Sequence, residues 1–195
     1  MRSCAVWYSR GMKFSPFLEP KSLDFLNLQA RIKAAGCRHC QCPSAIVGHG
    51  HLRGYAASGG DRVSRGLRLL CSDRYSNQGC GATFSVHWDS VIPHCSLRTT
   101  QLLDLIRTVA ASPSTHGAWF FSGSTLPITS VYRWVAKWRN RTAHIRTQLC
   151  LIVAPPGKSG DQPDPFTLQH LIAAFPQAAC CIAAFQSGLQ VSITG

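Results

Sequence analysis

Apolar residues recur along the chain with two different periods, and the changes of period divide it. Residues 1–16 show no period and are expected to form a loose tail. In residues 21–35, Leu23, Phe25, Leu26, Leu28, Ile32 and Ala35 fit a helix, with Pro20 near its first turn and Gly36 just past its end. The period then shortens. Gly66-Leu-Arg-Leu-Leu70 runs as a strand into Cys71, and residues 83–88 alternate as Thr-Phe-Ser-Val-His-Trp. Helical spacing returns at Leu97, where Leu102, Leu105, Ile106, Val109 and Ala110 share one side of a core-forming helix over residues 97–111. Pro113 breaks it, and residues 114–121 form a short second helix ending at Gly123. Val131, Trp134, Val135 and Trp138 then fall at i, i+3, i+4 and i+7, a stripe that persists through Ile145 and Leu149, with Thr129 or Ser130 as cap. Pro155-Pro-Gly and Gln162-Pro-Asp-Pro165 mark a linker. Beyond it the string Ile-Ala-Ala-Phe occurs twice, at residues 172–175 and 182–185, in a C-terminal helical tail. The chain therefore divides into an N-terminal tail and helix (1–36), an irregular short-stranded segment (37–96), a helical domain (97–152), a linker (153–165) and the tail (166–195).

Composition narrows the function classes. The 195 residues are 45% hydrophobic but only 14% charged, which excludes a disordered chain. No apolar stretch approaches the ~20 residues of a membrane span, and the N-terminal apolar stretch is too short for a signal peptide. A cytoplasmic protein with reduced thiols is expected, its ten Cys serving metal or core rather than disulfides. Twenty Lys and Arg stand against eight acids, a net charge of +12, and Glu19 is the only glutamate. Scarce acids argue against Mg²⁺-dependent nucleases and make a polyanion the natural partner. The charge is also concentrated. Residues 97–147 hold seven bases and one acid, whereas residues 148–195 hold one base and two acids.

Four cysteines carry the strongest chemical pattern. Cys37-Arg-His-Cys40 is a tight turn that aims two thiolates at one ion, and Cys71 and Cys80 supply a second pair. A strand enters Cys71 and another leaves Cys80, the strand–knuckle–strand plan of a zinc ribbon. One structural Zn²⁺ on Cys37, Cys40, Cys71 and Cys80 is the expected cofactor, with Cys42, His39, His49 and His51 close enough to replace a ligand. A catalytic zinc needs a nearby general base, and no His-x-Glu or His-Glu-x-x-His occurs.

The basic helix carries the second. Arg133, Lys137 and Arg141 repeat every four residues, off the apolar stripe, beside Tyr132, Arg139 and Asn140. Helix, short helix, turn and basic helix is the order of a helix-turn-helix, whose last helix enters the DNA major groove. Tyr132, Arg133, Lys137, Arg139, Asn140 and Arg141 are the expected DNA-binding residues, Arg133 and Lys137 foremost and Arg141 as a phosphate clamp.

The run Gly66-Leu-Arg-Leu-Leu-Cys71 and the later Gly79-Cys-Gly-Ala-Thr-Phe-Ser85 resemble the zinc-ribbon signature of bacterial insertion-sequence transposases and their helper proteins. Val131-Tyr-Arg-Trp-Val135 resembles their recognition helix, and the likeness covers roughly residues 30–150. The eight residues between Cys71 and Cys80 depart from the usual close pair. The resemblance implies sequence-directed binding to element ends. It does not bring transposition, because the family's catalytic domain needs three carboxylates, and after residue 104 only Asp161 and Asp164 remain.

The fold expected is thus α+β, small and irregular: a zinc ribbon, an all-α helix-turn-helix bundle and a C-terminal helical tail. The function expected is a non-enzymatic, zinc-stabilised protein that binds double-stranded DNA, transposase-related or regulatory. The nearly uncharged tail either packs on the domain or forms a homodimer surface. A zinc-ribbon adaptor that binds a protein through this tail is the alternative, and RNA binding by the same basic patch is a third reading.

Overall fold

The computed structural model describes residues 17–18, 37, 39–42, 45–55, 60–74, 78–95, 97–122, 126–157 and 163–194. The tail expected over residues 1–16 and the helix expected over 21–35 lie outside them. The fold is α+β. Strands β1 (Phe17–Leu18), β2 (Ile46–Tyr55), β3 (Arg62–Cys71) and β4 (Thr83–Trp88) form one sheet in the order β1-β4-β3-β2. β2, β3 and β4 are antiparallel, and β1 runs parallel to β4 through Phe17 opposite His87. Alternation places Leu67, Leu69 and Val86 together with Ile46 in a small buried cluster, flanked by Phe84 and Trp88. Gly66, with φ of +150°, lets β4 come close: a Cβ there would lie 2.0 Å from the Val86 carbonyl oxygen.

Five helices follow: α1 (Thr99–Ala111), α2 (Thr115–Phe121), α3 (Ile128–Leu149), α4 (Pro163–Ala174) and α5 (Cys181–Leu189). Ser114 caps α2 by accepting the Gly117 N–H. The cap of α3 differs from expectation. Pro127 occupies it, its carbonyl accepting the Ser130 and Val131 N–H groups, while Thr129 and Ser130 lie inside the first turn. Leu102, Leu105, Ile106 and Val109 of α1 meet Val131, Trp134, Val135, Trp138, Ile145 and Leu149 of α3 in one core.

The C-terminal tail belongs to that same core. Leu168, Leu171, Ile182 and Phe185 are buried among the residues of α1 and α3. The stretch expected as linker gives way to helix at Pro163, where proline suits a first turn because its missing N–H is unneeded there. Two glutamines, buried Gln186 and half-buried Gln190, tie α5 back to β1 and to the end of β4. Gln186 donates to the Asp89 and Val91 carbonyls, and Gln190 both accepts the Phe17 N–H and donates to its carbonyl. Among the described residues no helix is long and apolar enough to cross a membrane.

Candidate metal centre and the basic helix face

The Cys37–Cys40 turn and the β3–β4 connection bring four thiols together. Ligand atoms of Cys37, Cys40, Cys71 and Cys80 all lie within 4.8 Å of one another, with Cys37 Sγ and Cys80 Sγ 3.6 Å apart, as are Cys40 Sγ and Cys71 Sγ. A tetrahedral ion with metal–sulfur bonds near 2.3 Å requires sulfurs about 3.8 Å apart, so the set fits a four-coordinate metal. Backbone amides also point at the sulfurs: His39 N–H donates to Cys37 Sγ at 3.3 Å and Cys80 N–H to Cys71 Sγ at 3.4 Å.

The eight-residue spacing of the second pair has a local explanation. Gly79 N–H donates to the Ser72 carbonyl at 3.0 Å, pinching the loop shut beside both ligands. Cys71-Ser72 and Gly79-Cys80 then act as one knuckle. Glycine is required at 79, where a Cβ would lie 2.1 Å from the Ser72 carbonyl oxygen. The two knuckles match in their exits. Gln41 (φ 61°) follows Cys40 and Gly81 (φ 73°) follows Cys80, each left-handed residue returning its N–H to the first cysteine's carbonyl. Sequence reasoning missed this closure, although Gly79 beside Cys80 was its visible sign.

Cys42 stands outside the cluster, its thiol donating to the Gln78 carbonyl at 2.9 Å. His39 stacks on Phe84, and His49 and His51 project exposed from β2. The thiols are unequal. The Cys42 backbone N–H holds Cys40 down to about 7, whereas burial pushes Cys71 up to about 12. A metal therefore displaces the Cys71 proton when it binds.

α3 presents the second feature. Its buried stripe is Val131, Trp134, Val135, Trp138, Thr142, Ile145 and Leu149. Turned 100° per residue, the opposite face centres on exposed Ala136, Asn140, Ala143 and Thr147. Arg133 and Lys137 border one edge of it, and Tyr132 and Arg139 the other. The 22 residues of α3 include no acid.

The six residues expected at DNA thus have different surroundings. Tyr132, Arg133, Lys137 and Asn140 are exposed on this face, and the Lys137 ammonium rests 4.5 Å above the Trp134 ring. Arg139 Nε is paired at 2.7 Å with Asp164 Oδ2, so half of its role is internal. Arg141 is turned toward the buried side, its Nε enclosed without a hydrogen-bond partner. Neither a family model, nor a curated protein, nor a solved structure matches the chain.

Proposed function

We propose that this chain is a zinc-stabilised, non-enzymatic protein that binds double-stranded DNA, with α3 as the recognition helix of a helix-turn-helix formed by α1, α2 and α3. The exposed face of α3 carries the reading. Small Ala136 and Ala143 let its centre approach a groove floor, Asn140 offers an amide to base edges, and Arg133 and Lys137 stand where a phosphate wall would run. Zinc is the metal best suited to four thiolates in a closed tetrahedron, and its role is structural. The reading agrees with the resemblance to insertion-sequence transposases and takes from it only the DNA-holding part. Burial of Leu168, Leu171, Ile182 and Phe185 in the core leaves the adaptor alternative less apolar surface, of which Ile172 remains exposed.

The test is binding of the zinc-loaded chain to duplex DNA across a salt series. Affinity should fall steeply with salt, and the logarithmic slope should shrink by about 0.9 for each phosphate contact removed. Arg133→Ala with Lys137→Ala should weaken binding about equally across DNA sequences and lower the slope by about 1.8, while metal content and helicity stay unchanged. Affinity indifferent to salt, or equal affinity in the double variant, sinks the reading. Elemental analysis should return one zinc per chain, lost in Cys71→Ser.

A further inference from the structure

The two faces of the sheet have different neighbours. Register tells them apart, because residues paired across antiparallel strands point to one side. His87 pairs with Gly66, and its ring centroid lies 6.2 Å from that of Phe17. Arg65 passes Gly54 on the same side and donates to the Ile92 and Cys95 carbonyls ahead of α1. That face looks toward the helical body. On the other face Leu67 pairs with both Val86 and His51, and alternation adds Trp88 on β4 and Arg53 and Tyr55 on β2. Ser64, paired with Arg53, has its hydroxyl 3.5 Å from His51 Nδ1, which puts both on this outer face. His51, Arg53, Tyr55 and Arg62 are exposed there beside half-buried Trp88.

A cleft opens in the outer face. Gly48, Gly50, His51, Leu67 and Trp88 line about 360 Å³ of it, a volume in the range of small-ligand sites. It exists because β2 carries no side chain at two positions. A Cβ on Gly48 or Gly50 would meet nothing within 4 Å. The register shift between Gly48 and His51 adds a residue to β2 at the same place, as a bulge does. Leu67, from the buried cluster of the central strand, supplies the floor, and Trp88 of β4 supplies an aromatic wall.

Cations flank the cleft, and acids do not. β2, β3 and β4 contain no Asp or Glu. From His51 the outer face continues along β2 to Arg53, roughly 7 Å away at about 3.3 Å per residue. Beyond it stands the Tyr55–Arg62 pair, the guanidinium 5.6 Å from the ring centroid. Charges on an edge strand also discourage strand pairing. Protection of that kind needs neither an open cleft nor an aromatic wall beside the charges.

We propose that the outer face of the sheet binds single-stranded DNA, one unpaired base entering the cleft against Trp88 while Arg53 and Arg62 hold neighbouring phosphates. An apolar cleft beside cations suits a nucleotide, whose base has a flat π-face and whose backbone is anionic. A base inside a duplex is already stacked and paired, so the strand that enters is single. The proposal takes DNA rather than RNA from the duplex reading of α3 and uses nothing else of it.

The experiment measures binding of the full zinc-loaded chain to short labelled oligo(dT) by fluorescence anisotropy across a salt series, beside oligo(U) and a duplex. Gly48→Leu fills the cleft from a position with open space and no left-handed backbone, and Trp88→Leu removes the wall. Each should weaken oligo(dT) binding roughly 5- to 150-fold, the worth of one stacked base, and leave duplex affinity unchanged. Trp88→Phe keeps a ring and should retain binding. Arg53→Ala/Arg62→Ala should lower the logarithmic salt slope for oligo(dT) by about 1.4, two contacts at 0.7 each. Zinc content and helicity equal to wild type show that each variant is folded. Wild-type oligo(dT) affinity in both Gly48→Leu and Trp88→Leu, or no oligo(dT) binding by the wild type, overturns the proposal. Tighter binding of oligo(U) overturns DNA as the occupant. Arg133→Ala/Lys137→Ala keeps the two sites apart, since it should lower duplex affinity and spare oligo(dT). Oligo(dT) binding lost there, with the cleft variants unaffected, overturns the cleft and leaves α3. Duplex binding absent throughout, while oligo(dT) follows the cleft variants, overturns the α3 reading and leaves the cleft.

Discussion

The sheet region and the helical body are held together by different physics. Around the sheet, the buried aliphatic cluster is Ile46, Leu67, Leu69 and Val86, and beside it Cys37, Ala45 and Cys71 surround the thiol site. The helical body instead has one core running from Ile92 to Ile193, with Trp138, Ile106, Leu171 and Phe185 fully enclosed. A cluster as small as the first offsets little of the backbone entropy of two ten-residue strands, so a metal held by the four thiols would add most to this region. The body has enough apolar burial to stand by itself. With a metal on the four thiols, stability in this chain would be divided between metal chemistry and hydrophobic packing.

Removing the metal should break that division most visibly. Structural zinc sites contribute roughly 10–16 kcal/mol of apparent binding free energy at neutral pH, more than the small sheet cluster can replace. Chelation, or Cys71→Ser, should abolish hydrogen-exchange protection over residues 46–55 and 62–71 while residues 128–149 stay protected. Simultaneous loss in both segments would show one cooperative unit and end the comparison.

Truncating the body's core should do the opposite. Phe185→Ala opens a cavity among fully buried neighbours and should cost about 3–5 kcal/mol of unfolding free energy, leaving zinc content unchanged. Gln186→Leu is subtler. It takes the amide donor away from the buried Asp89 and Val91 carbonyls and should cost about 1–3 kcal/mol. Both are read from denaturant unfolding followed by helical circular dichroism, with metal content measured in parallel. Metal released at the same denaturant concentration as helix in both variants would contradict independent support.

What the sequence made legible follows the same boundary. α3 was readable because a long amphipathic helix repeats its stripe through Val131, Trp134, Val135 and Trp138, and Cys-x-x-Cys announces a knuckle by itself. The C-terminal tail was readable as helical, but the face it buries was not, because α4 is apolar on several sides and its period names no single face. Pro163 and Pro165 looked like linker residues, yet a first helical turn accepts proline as readily. The Arg139–Asp164 pair joins residues twenty-five apart in the chain, and no local pattern foretells a contact of that kind. The Arg65 guanidinium, which passes Gly54 and donates to the Tyr55, Ile92 and Cys95 carbonyls, escaped for the same reason.

The junction between the two regions offers the finest test, through His87. This residue of β4 faces Phe17 of β1, pairs with Gly66 of β3, and has an enclosed Nδ1 without a hydrogen-bond partner. Burial first, then the positive charges of His94 and Arg65, pulls its pKa down to about 4. In the unfolded chain the imidazole titrates near 6.5. Between those values the unfolded state binds more protons than the folded one, so stability must fall as pH drops from about 6.5 toward 4 and stay flat above. His87→Gln removes the titration and keeps a polar side chain of similar reach. Acid also strips thiolates of their metal, but that loss is common to wild type and variant and cancels in their difference. The Tm gap between the two proteins should therefore change between pH 7 and pH 5, wild type losing more. Parallel Tm curves would mean that His87 is hydrated in solution and that the joint between sheet and body is looser than its packing indicates.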